Sequence, residues 1–145
     1  MISMQSRKQW SQMRTPGRPD MAGAVLSRET GGMILEIRTY RVKPGTRDEF
    51  VRVMRGEAAS LLGRYGINVV DSGPSLVDED GAEEAYLIRS FASLAERDER
   101  ESAFYGSDDW RLGPREAIVS CIESYHTIVL DVDDSAATAL RPTVP

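Results

Sequence analysis

Cysteine and histidine are almost missing from this 145-residue chain, which holds Cys121 and His126 and no others of either kind. One thiol cannot close an intramolecular disulfide, so a disulfide framework is excluded, and a cysteine-based zinc site with it. A lone histidine with no neighbouring cysteine or paired-carboxylate motif supplies no usual ligand set, so no metal and no cofactor is expected. Long apolar runs are scarce as well. Met21-Ala22-Gly23-Ala24-Val25-Leu26 is the longest near the N-terminus, far short of the roughly 20 residues of a membrane span and shorter than the core of about 7 to 15 residues in a secretory signal. These absences lead to the expectation of a reducing, cytoplasmic location and no membrane partner. Lysine is scarce beside arginine, two against sixteen, a bias associated with GC-rich bacterial genomes.

Charge divides the chain. Residues 1–32 carry five basic and two acidic side chains, whereas residues 33–133 carry twelve basic and twenty acidic ones. A net of −8 on that central part argues against a nucleic-acid-binding surface. Residues 1–32 show no sustained period, contain Thr15-Pro16-Gly17-Arg18-Pro19-Asp20 and end in Gly31-Gly32, which reads as a flexible arm. A transit peptide and an extension ahead of a start at Met33 are the competing readings of that arm. The tail, residues 134–145, reads as disordered, leaving one domain over 33–133.

Within the domain the pattern runs strand, helix, strand, strand, helix, strand. Leu35 to Val42 alternates apolar and polar residues and stops at Pro44-Gly45. Leu35, Ile37 and Thr39 point one way and Glu36, Arg38 and Tyr40 the other. Thr46-Arg47-Asp48-Glu49 reads as a capping box opening a helix whose apolar stripe is Phe50, Met54, Ala58, Leu61 and Tyr65, closed by Gly66. A second strand is expected over Ile67 to Val77, with Gly73-Pro74 marking a bulge or an edge, and Asp78-Glu79-Asp80-Gly81 supplies a hairpin turn. Ala85 to Phe91 forms the third strand. Ser93-Leu94-Ala95-Glu96 is a second capping box, and its strongly charged helix runs through Phe104 to a break at Gly106. Trp110 and Leu112 fall in a short helical turn, Pro114 opens another to Cys121, and the last strand spans Ile122 to Asp133.

Two βαβ halves joined by a hairpin give an α+β fold, the ferredoxin-like βαββαβ sandwich with a four-stranded antiparallel sheet and helices on one face. The last strand is apolar on both sides, with Ile122, Ile128 and Leu130 on one and Tyr125 and Val129 on the other. A second sheet face that apolar would not stay in water. The simplest solution is a homodimer that packs two open sheets together and encloses a space, with Leu35 and Ile37 toward the chain's own helices and Glu36, Arg38 and Tyr40 toward that space.

Glu36-Ile37-Arg38-Thr39-Tyr40 with Lys43-Pro44-Gly45, then Arg89-Ser90-Phe91-Ala92-Ser93-Leu94-Ala95-Glu96-Arg97 and Asp109-Trp110, resemble the NIPSNAP family of dimeric α/β-barrel proteins over residues 33–133. The resemblance implies a dimeric α/β barrel. It assigns no reaction, although similar barrels include cofactor-free monooxygenases, cyclases, isomerases and haem-degrading enzymes. Ile88 stands where the family often has an aromatic, and Phe91 replaces a common tyrosine.

Candidate residues follow from chemistry and placement. Arg38 can anchor an anionic or enolisable ligand and Tyr40 can donate a proton, while Arg89 can meet Glu36 if the strand registers match. The competing reading is a structural ion pair that fixes strand pairing or the dimer seam. His126 has a side chain suited to a general base, but a lone histidine on an apolar strand face is more often a packed core or interface residue. Arg38, Tyr40 and His126 are therefore the candidate catalytic residues. Glu36, Arg89, Phe91 and Trp110 are candidate ligand contacts, with Trp110 read chiefly as a loop anchor against the second helix. The acidic run from Glu96 to Glu101 reads as a solvated helix face, and Cys121 as a small core residue. The function expected is binding of a small organic molecule in the barrel cavity, and the alternative is a cofactor-free enzyme of the monooxygenase, cyclase or isomerase type.

Overall fold

The computed structural model describes residues 32–140. The expectation of a flexible arm over the first residues lies outside that range. Strand β1 (Gly32–Val42) is followed by a helix in three parts: α1 (Arg47–Val53), a π-helical turn (Met54–Ala58) and α2 (Ala59–Arg64). Strands β2 (Asn68–Pro74) and β3 (Glu83–Phe91) come next, then α3 (Leu94–Tyr105), α4 (Asp108–Arg111) and α5 (Arg115–Val119). Strand β4 (Ile122–Asp133) leads into α6 (Asp134–Ala139), a helix in a tail whose sequence shows no such pattern.

The sheet order is β2-β3-β1-β4 with every pairing antiparallel, the order of the ferredoxin-like sandwich. The four strands form an open sheet and do not close into a barrel within the chain. β2 is an edge strand, as Gly73-Pro74 suggested, but its irregularity falls between Val69 and Asp71. Edge strands tolerate such bulges because one side of the ladder is unpaired.

The helices cover one face of the sheet, and the two faces of β1 are the reverse of those expected. Ile34, Glu36, Arg38, Tyr40 and Val42 are buried under the helices, whereas on the other side Thr39 and Arg41 are exposed, Ile37 is half-buried and Leu35 is buried. Alternation fixes which residues share a face but not which face turns inward. Here Glu36 and Arg38 lie inside because other buried charges answer them.

The first helix carries the bulk of the apolar layer, burying Phe50, Val53, Met54, Ala58, Leu61 and Leu62. Phe50, Met54 and Ala58 are spaced by four and four, which in a regular α-helix drifts about 40° per step away from the buried stripe. The wider π turn absorbs that drift and keeps Met54 and Ala58 on the core. Gly66, with φ of 76°, ends the helix in the left-handed conformation glycine adopts without strain. Thr46 does not cap by its side chain as its motif suggested, since its Oγ1 donates to the Lys43 carbonyl at 2.7 Å. Ser93 does cap α3, with Glu96 N–H donating to its Oγ at 3.1 Å and the Glu96 carboxylate accepting from the Ala92 N–H at 3.2 Å.

Candidate functional site

β1, β3 and α3 bring one set of charged side chains together beneath the helices. The register pairs Glu36 with Arg89 across β1 and β3, so both point to the helix side. α3 lies above and contributes Arg97, Glu101 and Tyr105, spaced four apart and therefore stacked along one face. Arg89 Nε donates to Glu36 Oε1 at 2.7 Å, and Arg97 donates through Nε and Nη2 to Glu36 Oε2 at 3.0 and 2.8 Å. Arg89 Nη2 lies 3.1 Å from Glu101 Oε2, and Arg97 Nη1 reaches Asp98 at 3.0 Å. Glu36, Arg38 and Arg89 have no exposed surface and Glu101 only 1%.

Arg38 and Arg89 converge on one phenol. Arg38 Nη1 donates to the Tyr105 hydroxyl at 3.1 Å and Arg89 Nη1 at 3.0 Å. Arg38 Nε also donates to Thr127 Oγ1 at 2.9 Å, and its guanidinium lies 5.1 Å from the centre of the Tyr125 ring. Thr127 and Tyr125 stand on the helix-facing side of β4, opposite Arg38 and Tyr40. That edge is less covered: Tyr125, Thr127 and Tyr105 are half-buried and Val129 is 38% exposed.

Burial sets the two carboxyls apart. Burial raises the cost of charge on Glu36, but the guanidiniums of Arg89, Arg38 and Arg97 and a hydrogen bond from Glu101 outweigh it and hold Glu36 well below the usual carboxylate range. Glu101 is pushed up to about 7, first by burial, which the attraction of Arg89 opposes and the charge of Glu36 reinforces. Of the two, Glu101 is the carboxyl that takes up a proton first. Burial also pushes the Tyr40 phenol up to about 12 against the pull of Arg38.

An apolar void of about 10 Å³ adjoins this network, lined by Tyr40 and Tyr105 together with Met54, Ala58, Leu62, Leu87, Phe104, Trp110 and Ile118. That is room for the centre of about one water. Two of its walls, Met54 and Ala58, belong to the π turn, a form that recurs at functional sites. Trp110 closes another side, with its ring edge-on to Tyr105 at 5.4 Å and tilted against Phe104 at 5.2 Å. It anchors the α4 loop against α3 as its sequence setting suggested.

The candidate residues thus separate into two groups. Glu36, Arg38, Tyr40 and Arg89 come together beneath the helices. Phe91 is buried on the same face of β3, opposite Ile34. His126 pairs with Thr39 and is exposed on the open face, so the sheet lies between it and Arg38 and Tyr40, and the three cannot act on one small ligand within a chain. Arg97, Glu101 and Tyr105 were not singled out from the sequence. Glu101 is buried, contrary to the reading of Glu96 to Glu101 as a solvated face, because the spacing of 97, 101 and 105 puts it over Arg89. Among the described residues no group of three or more His, Cys, Asp or Glu side chains is placed to hold a metal ion, and no helix is long and apolar enough to cross a membrane.

The NIPSNAP family model matches residues 35–134. A NIPSNAP family protein of unknown function from Agrobacterium tumefaciens is similar in structure, with a TM-score of 0.61 and 24% identity over 72% of this chain and 91% of that one. A second A. tumefaciens NIPSNAP family protein gives 0.57 and 24% over 68% and 90%. An uncharacterized NIPSNAP-like domain protein from Burkholderia xenovorans gives 0.58 and 18% over 68% and 83%. No curated protein matches the chain. At these identities the structures bear on the fold alone, and the family match carries the assignment: the chain belongs to the NIPSNAP family.

Proposed function

We propose that this protein is a homodimer that binds a small organic molecule between the sheet and its helix layer. The observation that supports binding there is the convergence of Arg38 and Arg89 on the Tyr105 hydroxyl next to an apolar void beneath the π turn. The void itself admits about one water, so a ligand enters only as the wall beside it widens. This moves the ligand from the space between two sheets, where the sequence suggested it, to the other side of β1. The reading is tested by native mass spectrometry of protein purified from its own host: a co-purifying mass of a few hundred daltons supports it, and a bare chain with no ligand in every preparation counts against it.

The dimer rests on the open face. Ile37 pairs with Ile88 on one side and Ile128 on the other, and Leu35 pairs with Leu130, so two apolar rows run across adjacent strands. Leu35 is already buried in the single chain, whereas Ile128 is 43% exposed. Packing that face against a second copy removes it from water. Sedimentation at micromolar concentration checks this, and a stable monomer would contradict it.

A second reading, a cofactor-free enzyme, is favoured by Glu101. A carboxyl with a pKa of about 7 next to one held far lower is suited to giving and taking a proton near neutral pH. On this reading Glu101 moves the proton, Arg38 and Arg89 orient the substrate, and His126 stands outside the site. A turnover assay on the co-purified ligand with Glu101→Gln separates the two: loss of turnover with binding intact supports catalysis, and unchanged turnover removes it.

A further inference from the structure

The helix layer does not reach evenly across the sheet. α1 and α2 pack on β2, and α1 and α3 on β3, while β4 forms the opposite edge. The helix-facing side of β4 is a partly uncovered shelf: Tyr125 and Thr127 are half-buried, Val129 is 38% exposed, and Asp131 and Asp133 are exposed. α3 forms its long wall. Successive helical residues turn by about 100°, and Arg100 faces away from β4, donating to the Gly66 carbonyl just past the first helix. Asp98, Ser102 and Tyr105 therefore lie on the flank of α3 toward β4, where Arg38 donates to both Tyr105 and Thr127.

The shelf is apolar along its middle, at Val129 and Tyr125, and acidic at the end that carries Asp131 and Asp133. Asp133 pairs with Gly32, the first residue of β1, so the chain ahead of Gly32 enters at the acidic end. That chain carries five basic side chains against two acidic ones. Its apolar run, Met21–Leu26, is followed by Arg28 and then by Gly31-Gly32, a turn signal. We propose that residues 21–28 fold back over the helix-facing side of β4, with the apolar run on Val129 and Tyr125 and Arg28 beside Asp131.

The lengths agree. Val129 and Tyr125 lie four and eight residues from Asp133 along β4, about 13 and 26 Å at roughly 3.3 Å per residue. Leu26 and Met21 precede Gly32 by six and eleven residues, enough to span up to about 20 and 36 Å. Covering the apolar strip with an apolar run takes both out of water. Charge selects the arm over a second copy: residues 33–133 carry a net of −8, so another domain would bring acid to the acidic end. The arm so placed closes the edge at which Arg38, Tyr105 and Thr127 come nearest to solvent. Neither the ligand nor the dimer proposed above is needed for this contact.

The test is disulfide trapping in the full chain. Val25→Cys is combined with Val129→Cys or, on the opposite face of the same strand, with Ile128→Cys, and each pair is oxidised at micromolar concentration. Peptide masses identify the linked positions, and non-reducing gels separate links within a chain from links between chains. Linkage of 25 to 129 within a chain is expected at least about tenfold faster than linkage of 25 to 128, the advantage of a docked, tethered pair over chance encounter. Adding Arg28→Asp should slow it about threefold, the scale of one exposed ion pair, and adding Asp131→Arg as well should restore it. If Val129→Cys fails to fold, Leu26→Cys with Asp131→Cys takes its place. Equal rates at 128 and 129, or no link at 129, would overturn the docking. A link at 129 that joins two chains would give the shelf to a second copy and overturn it too. A rate unchanged by Arg28→Asp would overturn the pairing of Arg28 with Asp131.

Discussion

Glu101→Gln should make the protein more stable in alkaline solution and leave it little changed near pH 5. In the folded chain Glu101 holds its proton up to about 7, against 4.5 for an ordinary glutamate. The folded state therefore binds more protons than the unfolded chain between these values, so stability falls as pH rises through that window. The contribution is fully present below about 4.5 and gone above 7. That interval corresponds to about 3 kcal/mol at roughly 1.4 kcal/mol per unit. Glutamine cannot ionise, and its amide can donate to Glu36 as the protonated carboxyl does. The gap between variant and wild type should open from under 1 kcal/mol at pH 5 to about 3 kcal/mol at pH 9. Urea unfolding of both proteins at equal concentration, from pH 5 to 9, measures it. A difference that stays constant with pH, or a wild type that is the more stable at pH 9, would refute the raised pKa of Glu101.

Three further outcomes follow from the same geometry. Glu36→Gln strips the carboxylate from three buried or half-buried arginines and should cost about 3 to 5 kcal/mol in urea unfolding at pH 7. Below pH 4.5 the wild type should weaken in the same direction as Glu36 is forced to take a proton, since its folded-state pKa is depressed. Ile128→Asp puts a charge in the middle of the open face and should convert the proposed dimer to a monomer in sedimentation, with the fold intact by circular dichroism. Ser93→Ala should lower the melting point by the equivalent of about 1 kcal/mol, while Thr46→Ala, whose hydroxyl caps no helix N–H, should cost less.

The order of elements and the last strand were legible in the sequence because their signals are local: alternation in β1, Ser93 and Glu96 at the start of α3, Gly66 at the end of α2. The pairing of Glu36 with Arg89 was legible only as a condition on strand register, which the antiparallel ladder between β1 and β3 meets. What the residues of β1 could not show was the direction of its faces. A strand bearing Glu, Arg and Tyr on one side and Leu, Ile and Thr on the other looks as though the apolar side should meet the helices. The decision lies with Arg97, Glu101 and Tyr105, some sixty residues away, whose spacing of four was visible but whose charges read as solvent-facing. Once they are stacked over Arg89, the polar side of β1 becomes the better-matched inner face, and Ile37 is left for the open one. The π turn had a signal in the spacing of Phe50, Met54 and Ala58. Its wall in the void did not, because that depends on α4 and α5 folding back.

The ion network has a consequence for how the sheet assembles. β1 lies between β3 and β4 and pairs with both along most of its length. If it slipped by one residue against either neighbour, every side chain would change sides. Glu36 and Arg38 would be driven into the apolar rows of the open face, and Ile37 would confront Arg97 and Glu101 without a partner for either. An ordinary apolar core punishes such a slip only by looser packing. Here the mismatch strands several charges at once, so the buried cluster acts as a proofreading device for strand register, rejecting near-native sheets that hydrophobic collapse alone would tolerate.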